Sequence, residues 1–420
     1  MAASFPATTP DRRMPDQHMT DAPAFHIDPP AFLTDPALAA ILAALPRARL
    51  VGGCVRDAIA GRPVADIDLA TPDAPEAVVE ALAAAGLKSA PTGLAHGTVT
   101  AISDHRGFEV TTLRRDTATD GRHAEVAWTD DWRTDATRRD FTINAMSMTR
   151  DGTVFDYVGG AEDLAAGRIR FVGDPAIRIA EDYLRILRFF RFHARYGRQD
   201  PEQTTLVAIE TGIPGLARLS PERIWSEFKR ILLAPNPVPS LRMMDRLGVL
   251  PAVLPEAADI QALERLIVAN APPDPLLRLA ALAPGAGTAL AERLRFSGAE
   301  QAALLDLAGP SPALDATDDD LRRLLADTPA DSLAARTWLA HGQAGSVLRH
   351  RLAGMPRPRF VLAGRDALEA GLAAGPLVGE LIRAVRAWWL AGGCIASPAE
   401  CRAELHRLIG ISQSCNEPDV

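Results

Sequence analysis

The strongest constraint on the fold is a change of hydrophobic period part-way along the chain. Up to about residue 155, short β-rich runs such as "RLVGG", "DIDLAT", "GTVTAIS", "GFEVTTLR" and "AEVAW" surround one Ala-rich helical stretch, "APEAVVEALAAAG". After Asp174, apolar residues recur at helical spacing to the end of the chain, as in "EDYLRILRFFRFHARYG", "PERIWSEFKRILLA" and "PLVGELIRAVRAWWLAGG". Such a pattern predicts a domain with a small mixed sheet, followed by an elongated all-α region. The fold class is therefore α+β. We divide the chain into an unstructured tail at 1–28, a sheet-bearing head at 29–155, a neck at 156–235 and an all-α body and tail at 236–420.

With 47% hydrophobic and 23% charged residues over 420 positions, the chain has enough apolar material for several cores. No apolar run approaches the roughly 18 residues that span a bilayer, and no basic-then-apolar secretory signal opens the sequence. Its four cysteines form no C-x-x-C pair, so neither a zinc site nor a disulfide framework is expected. A reducing cytoplasm is the expected location, with no membrane association. The net charge of −8 argues against a uniformly basic surface, yet residues 168–198 hold eight Arg against Asp174, Glu181 and Asp182, a local net of +5. That segment is an anion-binding candidate.

The chemistry starts in "LVGGCVRDAIAGRPVADIDLAT", residues 50–71. Gly52 and Gly53 let the backbone approach a ligand closely, and Arg56 follows where a helix is expected to begin. On a strand, Asp66 and Asp68 would project to one face about 6.5–7 Å apart, where they repel unless a cation lies between them. Glycines, a helix start and an Arg can contact phosphates, while the paired Asp can hold Mg²⁺ that bridges to the same phosphates. Together they describe a nucleoside-triphosphate site. Glu109, in "FEVTT", is a candidate third carboxylate or an outward-facing strand acid.

Seven motifs in order, "LVGGCVRD", "ADIDLAT", "PTGLAHGTVT", "FEVTTLRRD", "DGRHAEV", "RRDFTINAM" and "EDYLRILRFFRF", resemble the bacterial CCA-adding tRNA nucleotidyltransferases. That class is shared with bacterial poly(A) polymerases, within the polymerase-beta-like superfamily. The resemblance covers residues 50–196; beyond that, only the helical character and its place match. It implies a nucleotidyltransferase head, Mg²⁺, CTP and ATP as substrates and the 3′ acceptor end of tRNA as partner, with no protein partner expected. It places Gly53, Arg56 and Arg139 on the nucleotide, Asp66 and Asp68 on the catalytic metals, and nucleotide selection on Asp182, Arg185, Arg188 and Arg191. On a helix Asp182 and Arg185 would be neighbours at i and i+3. We expect a structural ion pair between Arg138 and Asp140, a core role for "FTINAM", a packed or turn His96 and a mobile loop at 116–126. A poly(A) polymerase, a partial CC- or A-adding enzyme and a non-catalytic RNA-binding protein are the competing readings. The intact Asp66, Asp68, Arg56 and Asp182 oppose the last.

Overall fold

The computed structural model describes residues 21–93, 97–119, 124–257 and 259–414. Its contacts group into two units, one of Met1–Arg185 with Tyr196–Ile209, the other of Ile186–Arg195 with Glu210–Val420.

The first unit is built on an eight-stranded sheet. Its strands are β1 (Phe25–His26), β2 (Arg49–Val51), β3 (Asp68–Thr71), β4 (Lys88–Gly93), β5 (Thr98–Ser103) and β6 (Arg106–Thr112). After a separate two-stranded ribbon of β7 (Arg114–Thr119) and β8 (Ala124–Trp128), the sheet is completed by β9 (Ser147–Met148) and β10 (Thr153–Phe155). The order across the sheet is β1-β10-β9-β2-β3-β6-β5-β4, antiparallel except where β3 runs parallel to β6.

Register assigns the two faces opposite tasks. Val154, Met148, Leu50, Leu69, Val110 and Val99 form one row across adjacent strands, and all are almost fully buried. Against this face pack α1 (Pro36–Ala44), through Leu38 and Ile41, and α3 (Pro75–Ala84), through Val78 and Leu82. The neighbouring row, one residue along, runs Phe155, Ser147, Val51, Asp68, Glu109 and Thr100. It is buried at its Phe155 end and open at Asp68 and Glu109. Alternation with a period of two thus turns one face into core and leaves the other for carboxylates.

Two expectations need correction here. The tail expected to be unstructured to residue 28 contains β1, whose Phe25 and His26 pair with Val154 and Thr153; two residues are too few to show alternation in a sequence. Residues 1–20 lie outside the described residues. The stretch 116–126, read as a loop, lies largely in the paired strands β7 and β8, with residues 120–123 outside the description. Its polar composition gives no sign of the antiparallel pairing.

The second unit is helical throughout its described residues. Among its helices is α9 (Pro221–Leu232), started by Ser220, which accepts from Arg223 N, and closed by the buried Arg278, which donates to the carbonyls of Leu232 and Ala234. A guanidinium at that end answers the carbonyls a helix leaves unpaired. Further along, Leu362, Ala367, Leu381, Val385, Trp389, Cys394, Cys401, Leu405 and Ile409 form a separate core. No helix among the described residues is long and apolar enough to cross a membrane.

Candidate active site

The site is assembled where β2 ends. Gly52 follows Val51, takes φ of +73°, and leads into α2 (Gly53–Ile59). A side chain at Gly52 would be strained by that backbone and would also stand 3.3 Å from Nη1 of Arg139. Across the strand from Val51 stands Asp68, and in register with Asp68 on β6 stands Glu109. Asp66 lies just before β3 rather than on it, exposed like Asp68. The pair therefore does not project from one strand as expected. Glu109, the alternative left open, is the carboxylate directly beside Asp68.

Negative charge is crowded at these residues. Partial withdrawal from water, then the charges of Glu109 and Asp66, push the Asp68 carboxyl above its ordinary value, with Arg139 pulling the other way. Among the described residues no group of three or more His, Cys, Asp or Glu side chains is placed to enclose a metal ion by itself. The donors fit a hard divalent cation that takes one or two carboxylates and completes its shell with phosphate oxygens and water.

The basic side chains are held from beneath. Arg56, 8% exposed, donates to both carboxylate oxygens of Asp57, at 3.2 and 2.9 Å, and to Oδ1 of Asn144 at 2.6 Å. Its guanidinium also lies over the ring of Tyr196, 4.5 Å from the centroid, and the Tyr196 hydroxyl donates to Asp57 at 2.5 Å. Arg139 donates to the Asn144 carbonyl at 3.4 Å and to Asp135 at 3.2 Å. Asp135 sits on α4 (Trp132–Thr137), which Asp131 caps by accepting from Arg133 N and Thr134 N. Asn144 thus supports both Arg56 and Arg139. Sequence reading placed it in an apolar core, and the only hint was an amide side chain in a run that must be buried.

Residues 48–170 match the Poly A polymerase head domain, and residues 200–261 match the probable RNA and SrmB-binding site of polymerase A. The chain is 38% identical over 360 residues to CCA tRNA nucleotidyltransferase 1, mitochondrial, of Danio rerio, covering 81% of this chain and 83% of the relative. It is 37% identical over 362 residues to the Homo sapiens enzyme of the same name, covering 82% and 83%. The chain belongs to the CCA tRNA nucleotidyltransferase family. Its fold is that of the Bacillus stearothermophilus CCA-adding enzyme solved with CTP, with a TM-score of 0.70 at 24% identity over 90% of this chain and 99% of the other. The Thermotoga maritima CCA-adding enzyme solved with tRNA is similar too, with a TM-score of 0.62 at 19% identity over 91% and 99%.

Within that family frame, the remaining candidates follow α6 (Pro175–Glu181), with Asp182 just after it and Arg185, Arg188 and Arg191 on α7 (Leu184–Tyr196). Asp182 is not on a common helix with Arg185. It lies extended between α6 and α7, and its Oδ1 accepts from Leu184 N at 3.1 Å, an N-cap-like contact that starts α7. Arg185 turns back onto Glu181 and the carbonyl of Arg178. Arg188 and Arg191 both reach the buried Glu227 of α9, at 3.7 and 3.0 Å, and Arg230 joins them at 3.2 Å.

The basic run at 168–198 is thus largely met by acids: Asp163 for Arg168 and Arg170, Glu181 for Arg178 and Arg185, Glu227 for Arg188 and Arg191. Two of these acids lie outside the run, which is why its sequence charge overstated its bare charge. Arg138 pairs with Asp135 rather than with Asp140, which instead accepts from Phe141 N and the Asn144 amide; the i, i+3 geometry of α4 brings Asp135 closer. The rest of "FTINAM" is core, with Phe141, Ile143, Ala145 and Met146 buried. His96 lies outside the described residues.

Proposed function

We infer that this chain adds CCA to tRNA 3′ ends, taking nucleotides from CTP and ATP without a nucleic-acid template and releasing pyrophosphate. The observation that carries this reading is Asp68 standing in register with Glu109 beside the Gly52 turn, in a chain of this family. The human CCA tRNA nucleotidyltransferase, and the fold neighbours solved with CTP and with tRNA, support the same substrates. In the reaction the 3′-hydroxyl oxygen gives up its proton to solvent and bonds to the α-phosphorus while the bond to the bridging oxygen breaks, and the electron pair leaves on pyrophosphate.

Asp66 and Asp68, with Glu109 beside them, would hold the divalent cation, and Mg²⁺ is the ion we propose. Bound there, it supplies neutralisation of the triphosphate and a more acidic attacking hydroxyl. The chain's own residues do the positioning. Gly52 and Gly53 admit the triphosphate to the backbone, Arg56 and Arg139 offer fixed guanidinium groups, and Asp66, Asp68 and Glu109 repel an anion that arrives without its cation.

Nucleotide choice falls to Asp182 and Arg185. Cytosine and adenine both present an amine donor beside a ring-nitrogen acceptor, whereas uracil and guanine present a carbonyl oxygen in the amine position. A carboxylate accepts from the amine but meets oxygen in the other two bases. We keep the division into head, neck, and body with tail as the working domain proposal. Free, buried Cys54, Cys394 and Cys401 suit the cytoplasm as the place of action.

The test incubates the protein with tRNA lacking its 3′ end, Mg²⁺, and labelled CTP or ATP separately and together. Ordered addition of C, C and A is expected, and Asp68→Asn should remove at least about three orders of magnitude in rate, ~4 kcal/mol of barrier, with little change in tRNA affinity. Long adenylate tracts would establish the poly(A) reading instead, and CC alone or A alone a partial enzyme.

A further inference from the structure

Asp135 is a buried carboxylate beside the candidate site, 3% exposed, and it accepts from three residues. Its Oδ1 accepts from Nε of Arg138 at 2.8 Å and from the backbone N–H of Arg114 at 3.3 Å, and its Oδ2 from Nη2 of Arg139 at 3.2 Å. A buried carboxylate costs several kcal/mol to desolvate unless it is well paired. One guanidinium with a backbone N–H would answer that need, and Arg138 with Arg114 already provides it. The second guanidinium does something else: with Nη2 held by Asp135, its Nη1 lies against the Asn144 carbonyl and 3.3 Å from the point where a side chain on Gly52 would stand. Arg114 is also the first residue of β7, so the same carboxylate grips the root of the β7–β8 ribbon.

We propose that Asp135 is a positioning residue for the incoming nucleotide, fixing the Arg139 guanidinium beside the Gly52 turn and tying it to the root of the ribbon. It does not touch the reacting atoms. The proposal rests on Arg139 being a nucleotide contact. Free of this anchor, the long Arg side chain would sample other rotamers, and the nucleotide would have to order it on binding.

The test uses the full chain, tRNA lacking CCA, and steady-state KM and kcat for CTP, with thermal melting of each variant. Asp135→Asn keeps acceptors for Arg138 and Arg114 but loses its charge on Arg139; it should raise KM about tenfold and change kcat less than about threefold. Asp135→Ser retains an acceptor in less volume and carries the same expectation should the first variant fail to fold. Arg139→Ala should raise KM by at least about tenfold, and adding Asp135→Asn to it should change KM by less than about twofold, since the carboxylate acts through that side chain. Arg138→Ala, which removes the other guanidinium, should leave KM within about twofold of the wild type.

Wild-type KM in Asp135→Asn with a lowered melting temperature, or effects of Asp135→Asn and Arg139→Ala that multiply, would overturn the proposal and leave Asp135 a structural residue. Unchanged KM in Arg139→Ala would overturn the nucleotide contact itself, and the proposal with it.

Discussion

Tyr196 offers the cleanest measurement of how firmly the Arg56 guanidinium is held. The ring is 4% exposed and carries two cations on its faces, Arg56 and Arg62, each 4.5 Å from the centroid. Its hydroxyl donates to Asp57, the carboxylate that pairs with Arg56. Tyr196→Phe deletes that hydrogen bond and leaves the ring. A bond to a charged partner contributes about 1.5–3 kcal/mol, so we expect a loss of about 2 kcal/mol, or roughly 4–8 °C in Tm for a domain of this size. Tyr196→Ala also removes the buried ring, a truncation that costs about 3–5 kcal/mol, together with two cation–π contacts of ~0.5–2 kcal/mol each. These terms overlap, so Tyr196→Ala should exceed Tyr196→Phe by at least about 2 kcal/mol.

Urea unfolding followed by near-ultraviolet circular dichroism reads both losses, and KM for CTP reads the loosening of Arg56. A Tyr196→Phe protein within about 0.5 kcal/mol of the wild type would show that the Asp57 bond only replaces one to water. A Tyr196→Ala protein no worse than Tyr196→Phe would refute the stacking argument.

Further expectations concern charge and selection. Asp68 has its carboxyl raised from the ordinary 3.8, so the protonated form is favoured on folding, and stability falls as pH rises through that titration; Glu109→Gln removes a like charge and should shrink this fall in chelator, measured as urea midpoints against pH. At Glu300, withdrawal from water works upward, but hydrogen bonds from Lys229, Trp225 and Ser297 bring the carboxyl down to about 2. Its contribution is present above the ordinary 4.5 and is lost as pH falls towards about 2, so Glu300→Gln should flatten the acid limb of the melting curve over that window. Asp182→Ala should lose discrimination against UTP and GTP more than it loses tRNA binding; single-turnover incorporation of all four nucleotides checks this, and an unchanged preference places selection elsewhere.

What the sequence made legible was whatever depends on local spacing. The Gly52 turn and the short helix that carries Arg56 could be read because they depend on neighbouring positions alone. Glu109 stayed open because a register cannot be counted along one strand; only the parallel pairing of β3 with β6 sets it opposite Asp68. Asp182 was misplaced because apolar residues keep helical spacing straight through the break between Glu181 and Leu184, where an N-cap-type Asp was the available sign. Asp57, Asp135, Asn144 and Glu227 went unrecognised as supports, because a buried polar side chain shows its purpose only through the partner it meets in space.

The alternation that separates core from carboxylates also governs what mistakes the sheet can make. A one-residue slip of β3 or β6 would carry Asp68 or Glu109 into the layer of Leu50, Val99 and the α1–α3 cover, and bring Leu69 or Val110 out to water. A charge driven into that layer unpaired is far more costly than any gain from mispaired strands. Misregistered molecules would therefore be unstable rather than compact and idle. For these strands, passing the folding checkpoint and owning a correctly assembled carboxylate pair become one event.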